Sequence, residues 1–203
     1  MYQNKTKYFY ENLTPAKLKY LCVIILLLIS EIGLANVLLP SVQIGQQQSI
    51  VGGDLTANGS LVDIGVDWLA YSPSKSTYFL LTPSLSLSQI KGSQSATDSI
   101  AYEQTAVNLA AGIHTRISER LRLQIRISSQ QSLGGSFKIN SESFDVSDLQ
   151  SIAHSWTVLL PYSATYRIGL NVTWQNQQIT LKDRDEKIGL NSVIYGLYNS
   201  WRI

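Results

Sequence analysis

The chain is poor in several things at once. Its 203 residues hold one cysteine, Cys22, and charged residues make up only 15% of it, 16 basic against 14 acidic for a net charge of +2. Cys22 lies inside an N-terminal apolar run, so removal of that run would leave no disulfide, no thiol chemistry and no cysteine metal site. Lys19-Tyr20-Leu21 lacks the small residues that precede a lipidated cysteine, which excludes a lipoprotein. No basic run interleaved with aromatics occurs, so no case for nucleic-acid binding exists. Long apolar runs are missing too. Leu21–Ile29 is the densest, and Glu31 interrupts it before it could span about 30 Å of hydrocarbon. A helical membrane protein would be far more apolar, and a soluble domain nearer a quarter charged. No cofactor or metal ion is expected.

Serine, glutamine, asparagine and glycine fill the gap, diluting the apolar residues almost one for one. At the N-terminus, Lys5, Lys7, Lys17 and Lys19 precede the apolar run, and Gly33-Leu34-Ala35 offers small residues where a signal peptidase reads. Residues 1–35 are therefore expected to be a cleaved signal peptide and 36–203 one domain.

That domain alternates. In Ala164–Gln175, Tyr166, Ile168, Leu170, Val172 and Trp174 take one parity and Arg167, Gly169, Asn171, Thr173 and Gln175 the other. Side chains on a strand point to opposite faces in turn, so one face is apolar with an aromatic at each end. Tilted roughly 40°, that face is about 20 Å tall, close to an outer-membrane hydrocarbon band. The same pattern predicts strands at 36–50, 60–71, 77–90, about 101–116, from 121, around Trp156–Tyr162, 164–175 and at the C-terminus. Pro83 interrupts the third without breaking its alternation. Between them the connections read long, short, long, short, long, short, long, and 129–150 is expected to be the longest loop. All long loops then fall on one side, as extracellular loops do in outer-membrane barrels. Within the strand cores every charge lies on the polar face.

Alternation alone does not say which face is inside, and a soluble barrel binding a small apolar ligand shares it. Strand length, the small residues of the polar face and the aromatics favour the membrane. Trp68, Phe79, Trp156, Tyr162, Tyr166, Trp174, Tyr195 and Trp201 are expected to form an aromatic girdle.

On these residues, 40–203 resembles the small eight-stranded outer-membrane β-barrels of Gram-negative bacteria, the class that includes the OmpA transmembrane domain and OmpX. The resemblance implies an all-β, up-and-down antiparallel barrel in the outer membrane, in contact with lipid and lipopolysaccharide. The terminal strand, ending in Trp201 and Ile203, looks like the signal read by the barrel-assembly machinery, although isoleucine stands where phenylalanine is common. Peptidoglycan anchoring of the OmpA kind is not expected. The role implied is structural or surface-interacting, through extracellular loops that could bind a surface ligand.

Candidate chemistry is sparse. Asp63 and Asp67 face the lumen from the second strand, Arg122 and Arg126 from the fifth. Counting along the strands sets Asp67 near Arg122 and Asp63 near Arg126, an ion-pair ladder, since a buried charge must be paired. His114, Arg116, Arg167 and Arg202 would make a basic periplasmic end. Side chains normally fill so small a lumen, which argues against an open pore. A lipid A or phospholipid-modifying enzyme needs a nucleophile and base in reach. His154, on the outward face, and Ser129 are the weak candidates, and the His-x-Ser spacing of one outer-membrane deacylase family is absent, since Ile152 and Trp156 flank His154 at two residues. Lys182–Lys187 is a charged run that would lie beside lipopolysaccharide phosphates.

Overall fold

The computed structural model describes residues 37–202 except 54, 75, 94–98, 141 and 183–185, and the side chains of all of these but 70–73. The expected signal peptide lies outside the described residues. Eight strands follow one another: β1 Val37–Val51, β2 Leu55–Ser74, β3 Thr77–Ser93, β4 Ser99–Ser118, β5 Leu121–Ile139, β6 Glu142–Pro161, β7 Tyr166–Leu181 and β8 Lys187–Trp201. Each pairs antiparallel with the next, and β1 closes on β8 through the register Ser41↔Ser200 to Val51↔Leu190. The start of β1 and the end of β8 lie at one rim, the near rim; the other is the far rim.

The strands are longer than the alternation suggested, and the expected long loops are mostly strand. Residues 129–150 are not a loop. They hold the end of β5, the start of β6 and a tight turn at Asn140, whose φ of 56° is left-handed. Asn140 tolerates that conformation and ties the turn to β4, its Oδ1 accepting the Ser99 N–H at 2.9 Å. The 51–59 segment likewise shrinks to a turn on Gly52 and Gly53, at φ 61° and 104°. All connections are short; the asymmetry between the rims lies in how far the strands run past the apolar band.

The reason is an inversion of composition along the barrel. In the near half the outward side chains are apolar, among them Ile64, Leu85, Val107, Ile127, Val158, Leu170 and Leu197, all exposed. In the far half the outward positions turn polar, with Gln48, Asn58, Lys91, Glu103, Asn176, Gln178 and Asn191 exposed. There the inward positions become apolar. Val51, Ala57, Ile90, Tyr102, Phe137, Phe144, Val146, Ile179, Leu181 and Leu190 form one buried cluster. In β7 Leu170 points out and Ile179 points in without any irregularity between, so the chain keeps its facing and only the residues change. The near half is a barrel built for lipid, the far half one built for water. The far half rises roughly 15 Å beyond the apolar belt, counting about six residues per strand at a tilt near 40°.

Candidate functional site: a sealed lumen and an outer wall

The lumen is filled in three layers. At the far rim sits the apolar cluster, where the Tyr102 and Phe137 rings lie 6.0 Å apart. Near the opposite rim Leu39, Leu69 and Leu80 make a smaller apolar cluster. Between them is a hydrogen-bonded polar layer.

Asp67 is the hub of that layer, with no exposed surface. Its Oδ1 accepts the Thr82 hydroxyl at 2.8 Å, and its Oδ2 accepts the Gln124 amide at 3.2 Å and the Tyr198 hydroxyl. Arg126, buried on β5, brings Nη1 to 3.8 Å from Asp67 Oδ1 and lies 4.8 Å over the Tyr198 ring. Its other nitrogens donate to Ser155 and Thr157, each at 3.3 Å. Asn171 extends the layer, accepting from Gln43 at 2.9 Å and donating to Thr157 at 2.6 Å. Above it Gln130 accepts from Gln175 at 2.7 Å and from Gln177 at 3.1 Å. Further round, Gln47 donates to Ser49 and Ser192 at 3.2 and 3.1 Å. A cavity of about 30 Å³ remains beside Asp63, Asn108 and Arg126, room for about one water.

The expected ladder is thus half in step: Asp63 and Arg126 line the same small cavity, as expected, but the ion pair forms elsewhere. Asp67 meets Arg126 rather than Arg122, and Asp63 has one carboxylate oxygen without a hydrogen bond. Counting along strands ignored the tilt and stagger that closing a barrel imposes, which displace residues of equal count to different heights across the lumen. Tyr198, Gln124 and Thr82, the other partners of Asp67, were not anticipated; inward parity at the same depth was the signal that could have found them.

The basic near end is looser than a site. Arg116 and Arg202 are exposed, and Arg116 pairs with Glu119 at 3.8 Å. Arg122 and Arg167 each keep a buried nitrogen without a hydrogen bond. His114 is fully buried, its Nδ1 3.1 Å from the Gln124 amide and its ring edge-on to Tyr78. Of the expected girdle, Trp68, Phe79, Tyr162, Tyr166 and Trp201 lie toward the near rim, where Tyr166 pairs with Trp201 and stacks edge-on against Tyr162. Trp156, Trp174 and Tyr195 stand higher on the wall. Tyr162 lies in the β6–β7 turn rather than in a strand.

His154 and Ser129 both face outward. His154 is opposite Ile127 and Ser129 opposite Ile152, so the two are diagonal neighbours across β5–β6. None of the hydrogen bonds of the described residues joins them, and His154 has Trp174 rather than a carboxylate beside it on β7. That is no assembled nucleophile and base. Among the described residues no three His, Cys, Asp or Glu side chains converge on a metal-sized site. Of the charged run at 182–187, Asp183, Arg184 and Asp185 lie outside the described residues, while Lys182 and Glu186 are exposed.

One irregularity escaped the sequence reading. The β5–β6 ladder is interrupted between Gln130↔Ser151 and Ser136↔Asp145, with the same register on both sides. β5 carries an extra residue at Leu133 against β4, and β6 one at Ser147 against β7. Each bulge reverses the facing of its strand, so inward even numbers below become inward odd numbers above on β5. This reversal, together with Gly134-Gly135, is what made 129–150 read as a loop.

Neither a protein-family model nor a curated protein sequence matches the chain. Solved structures do. Neisserial surface protein A superposes with a TM-score of 0.58 at 6% identity, over 84% of this chain and all of that one. The Yersinia pestis attachment invasion locus protein Ail gives 0.44 at 16% identity, over 81% and 98%. The outer membrane protein OprG of Pseudomonas aeruginosa gives 0.43 at 8%, over 83% and 95%.

Proposed function

We infer that this barrel, whose fold is that of small bacterial outer-membrane barrels, sits in that membrane rather than in water, a reading its exposed apolar belt supports. The soluble, ligand-binding alternative is excluded by the same belt: a water-soluble barrel would have to expose Leu170, Leu197, Ile64 and their neighbours together. We propose that the protein is a non-conducting barrel that holds a rigid platform above the outer leaflet, and that this platform, rather than a set of long loops, engages a partner at the cell surface. The carrying observation is the inversion of the far half. An apolar core there fills the lumen and stiffens hairpins that end in turns, while hydrogen-bonding and charged side chains cover the outside. A channel would need a continuous polar path, and the cluster around Tyr102, Phe137 and Ile179 crosses it.

Two measurements test this. Reconstituted in a planar bilayer, the protein is expected to add no stepwise conductance; regular steps would refute the sealed lumen. On intact cells, Gln178→Cys is expected to react with a membrane-impermeant maleimide and Leu170→Cys to be protected. The reverse pattern would refute the platform.

A further inference from the structure

The outer wall carries a groove of about 580 Å³ across β2, β3, β4 and β5, outside the sealed lumen. Its lining includes Val62, Leu87, Gln89, Glu103, Gly134 and Ser136. The registers resolve it into rungs. The lowest is Val62, Leu87, Thr105 and Gly134; above it come Ser60, Gln89, Glu103 and Ser136; above that Asn58, Lys91, Ala101 and Lys138. The groove therefore starts on the apolar belt, passes a rung of hydrogen-bonding groups and ends beneath two exposed lysines. In the middle rung the Gln89 amide donates to Glu103 Oε1 at 2.5 Å, which holds the carboxylate across the wall. Gly134, which follows the Leu133 bulge, lines the groove where a Cβ would meet nothing within 4 Å.

We propose that this groove binds a phosphorylated glycolipid of the outer leaflet, of the lipid A class, with acyl chain on the lowest rung, sugar on the middle rung and phosphate between Lys91 and Lys138. The inference rests on the proposed orientation, with the far rim outside the cell. Charge order selects the ligand. Glu103 repels a phosphate at its own level but accepts hydroxyl and amide donors, so the headgroup must present sugar hydroxyls first and phosphate above them. A glycerophospholipid has its phosphate immediately above the acyl esters, at the level of Glu103. Lys91 and Lys138 stand on strands two spacings apart, about 10 Å, a gap that two lysine side chains close around one phosphate. They also lie roughly 10 Å above the Leu87 rung, the depth of the headgroup layer.

The test uses the full barrel purified in a neutral detergent, with diphosphoryl lipid A as probe and native mass spectrometry as readout. Diphosphoryl lipid A is expected to bind, with phosphatidylglycerol and fully dephosphorylated lipid A at least about tenfold weaker. Lys91→Ala/Lys138→Ala should weaken lipid A binding at least about tenfold, and Gly134→Phe, which fills the groove, by a similar factor. Lys187→Ala, on the opposite wall, should leave it unchanged. Both lysines are exposed, so the double variant keeps its fold, and the mobility of the unboiled protein on SDS gels verifies this for every variant. Wild-type binding by the double variant, or equal binding of phosphatidylglycerol, overturns the proposal. Either result leaves the conductance and labelling tests of the platform standing.

Discussion

The pairing of Asp67 with Arg126 makes a quantitative demand on stability. At 3.8 Å, with an effective dielectric near 20, their attraction is about 4 kcal/mol. Asp67→Asn keeps the shape and most hydrogen-bonding capacity but removes the charge, leaving buried Arg126 with the hydroxyls of Ser155 and Thr157, the Tyr198 ring and the Asp63 carboxylate across the small cavity, outside ion-pair distance. Breaking a buried pair from one side costs about 3–5 kcal/mol, chiefly through the charge left behind. Arg126→Met should cost a similar amount, since Asp67 is then the stranded ion. The double variant Asp67→Asn/Arg126→Met removes both charges and should cost less than the sum of the singles by about 3 kcal/mol. Arg122→Met, which does not touch Asp67, should cost under about 1 kcal/mol. The assay is reversible urea unfolding in lipid vesicles, followed by tryptophan fluorescence. Additive singles would sink the argument, and so would an Arg122 variant that couples to Asp67 while Arg126 does not.

Three further outcomes are expected. Leu170→Arg, in the outward belt, should lower stability by about 2–4 kcal/mol, whereas Gln178→Arg on the same face of β7 should change it by under about 0.5 kcal/mol; urea unfolding of the pair locates the edge of the hydrocarbon. Gly196 faces Gly45 across the closing seam, and a Cβ there would lie 2.1 Å from the Ile44 carbonyl oxygen and 2.4 Å from Gly45 Cα. Gly196→Ala should therefore cost about 2 kcal/mol or more, seen as loss of the compact unboiled band on SDS gels at a lower temperature. Asn140→Ala loses the bond to the Ser99 N–H and strains a left-handed turn, for about 1–2 kcal/mol by urea unfolding.

Much of the barrel was legible because lipid imposes a simple rule. Ile168, Leu170, Val172 and Trp174 share a parity, and so do Val193, Tyr195 and Leu197; a lipid-facing strand needs so consistent a face, and the strand length and aromatics set it apart from the inward face of a soluble barrel. The same rule hid the far half. Once Asn176, Gln178 and Thr180 point outward, β7 no longer looks like a membrane strand, and Ile179 and Leu181 look like noise of the wrong parity. They are the start of a second pattern, that of a barrel in water, with too few residues per strand to declare itself. β5 and β6 were harder still, because their bulges reverse the facing in mid-strand. In the lumen, inward parity identified Asp63, Asp67, Arg122 and Arg126 as lumenal. Which pairs meet depends on the stagger accumulated over eight strands, a property of closure that no single strand carries.

The inverted far half also sets the terms on which the protein enters and leaves its membrane. In the proposed orientation, the β3–β4 hairpin must carry Lys91 and Glu103 through the hydrocarbon, and the β5–β6 hairpin Lys138, Glu142 and Asp145. Each basic residue is opposed by about 2–4 kcal/mol at mid-bilayer, so unassisted insertion is slow. Once the hairpins are across, Tyr102, Phe137, Phe144, Ile179 and Leu190 close over one another in water. Withdrawal would then mean opening that core and dragging the same charges back. The molecule behaves like a rivet, headed only after it has passed through the sheet, and its residence is fixed by how slowly the head comes undone.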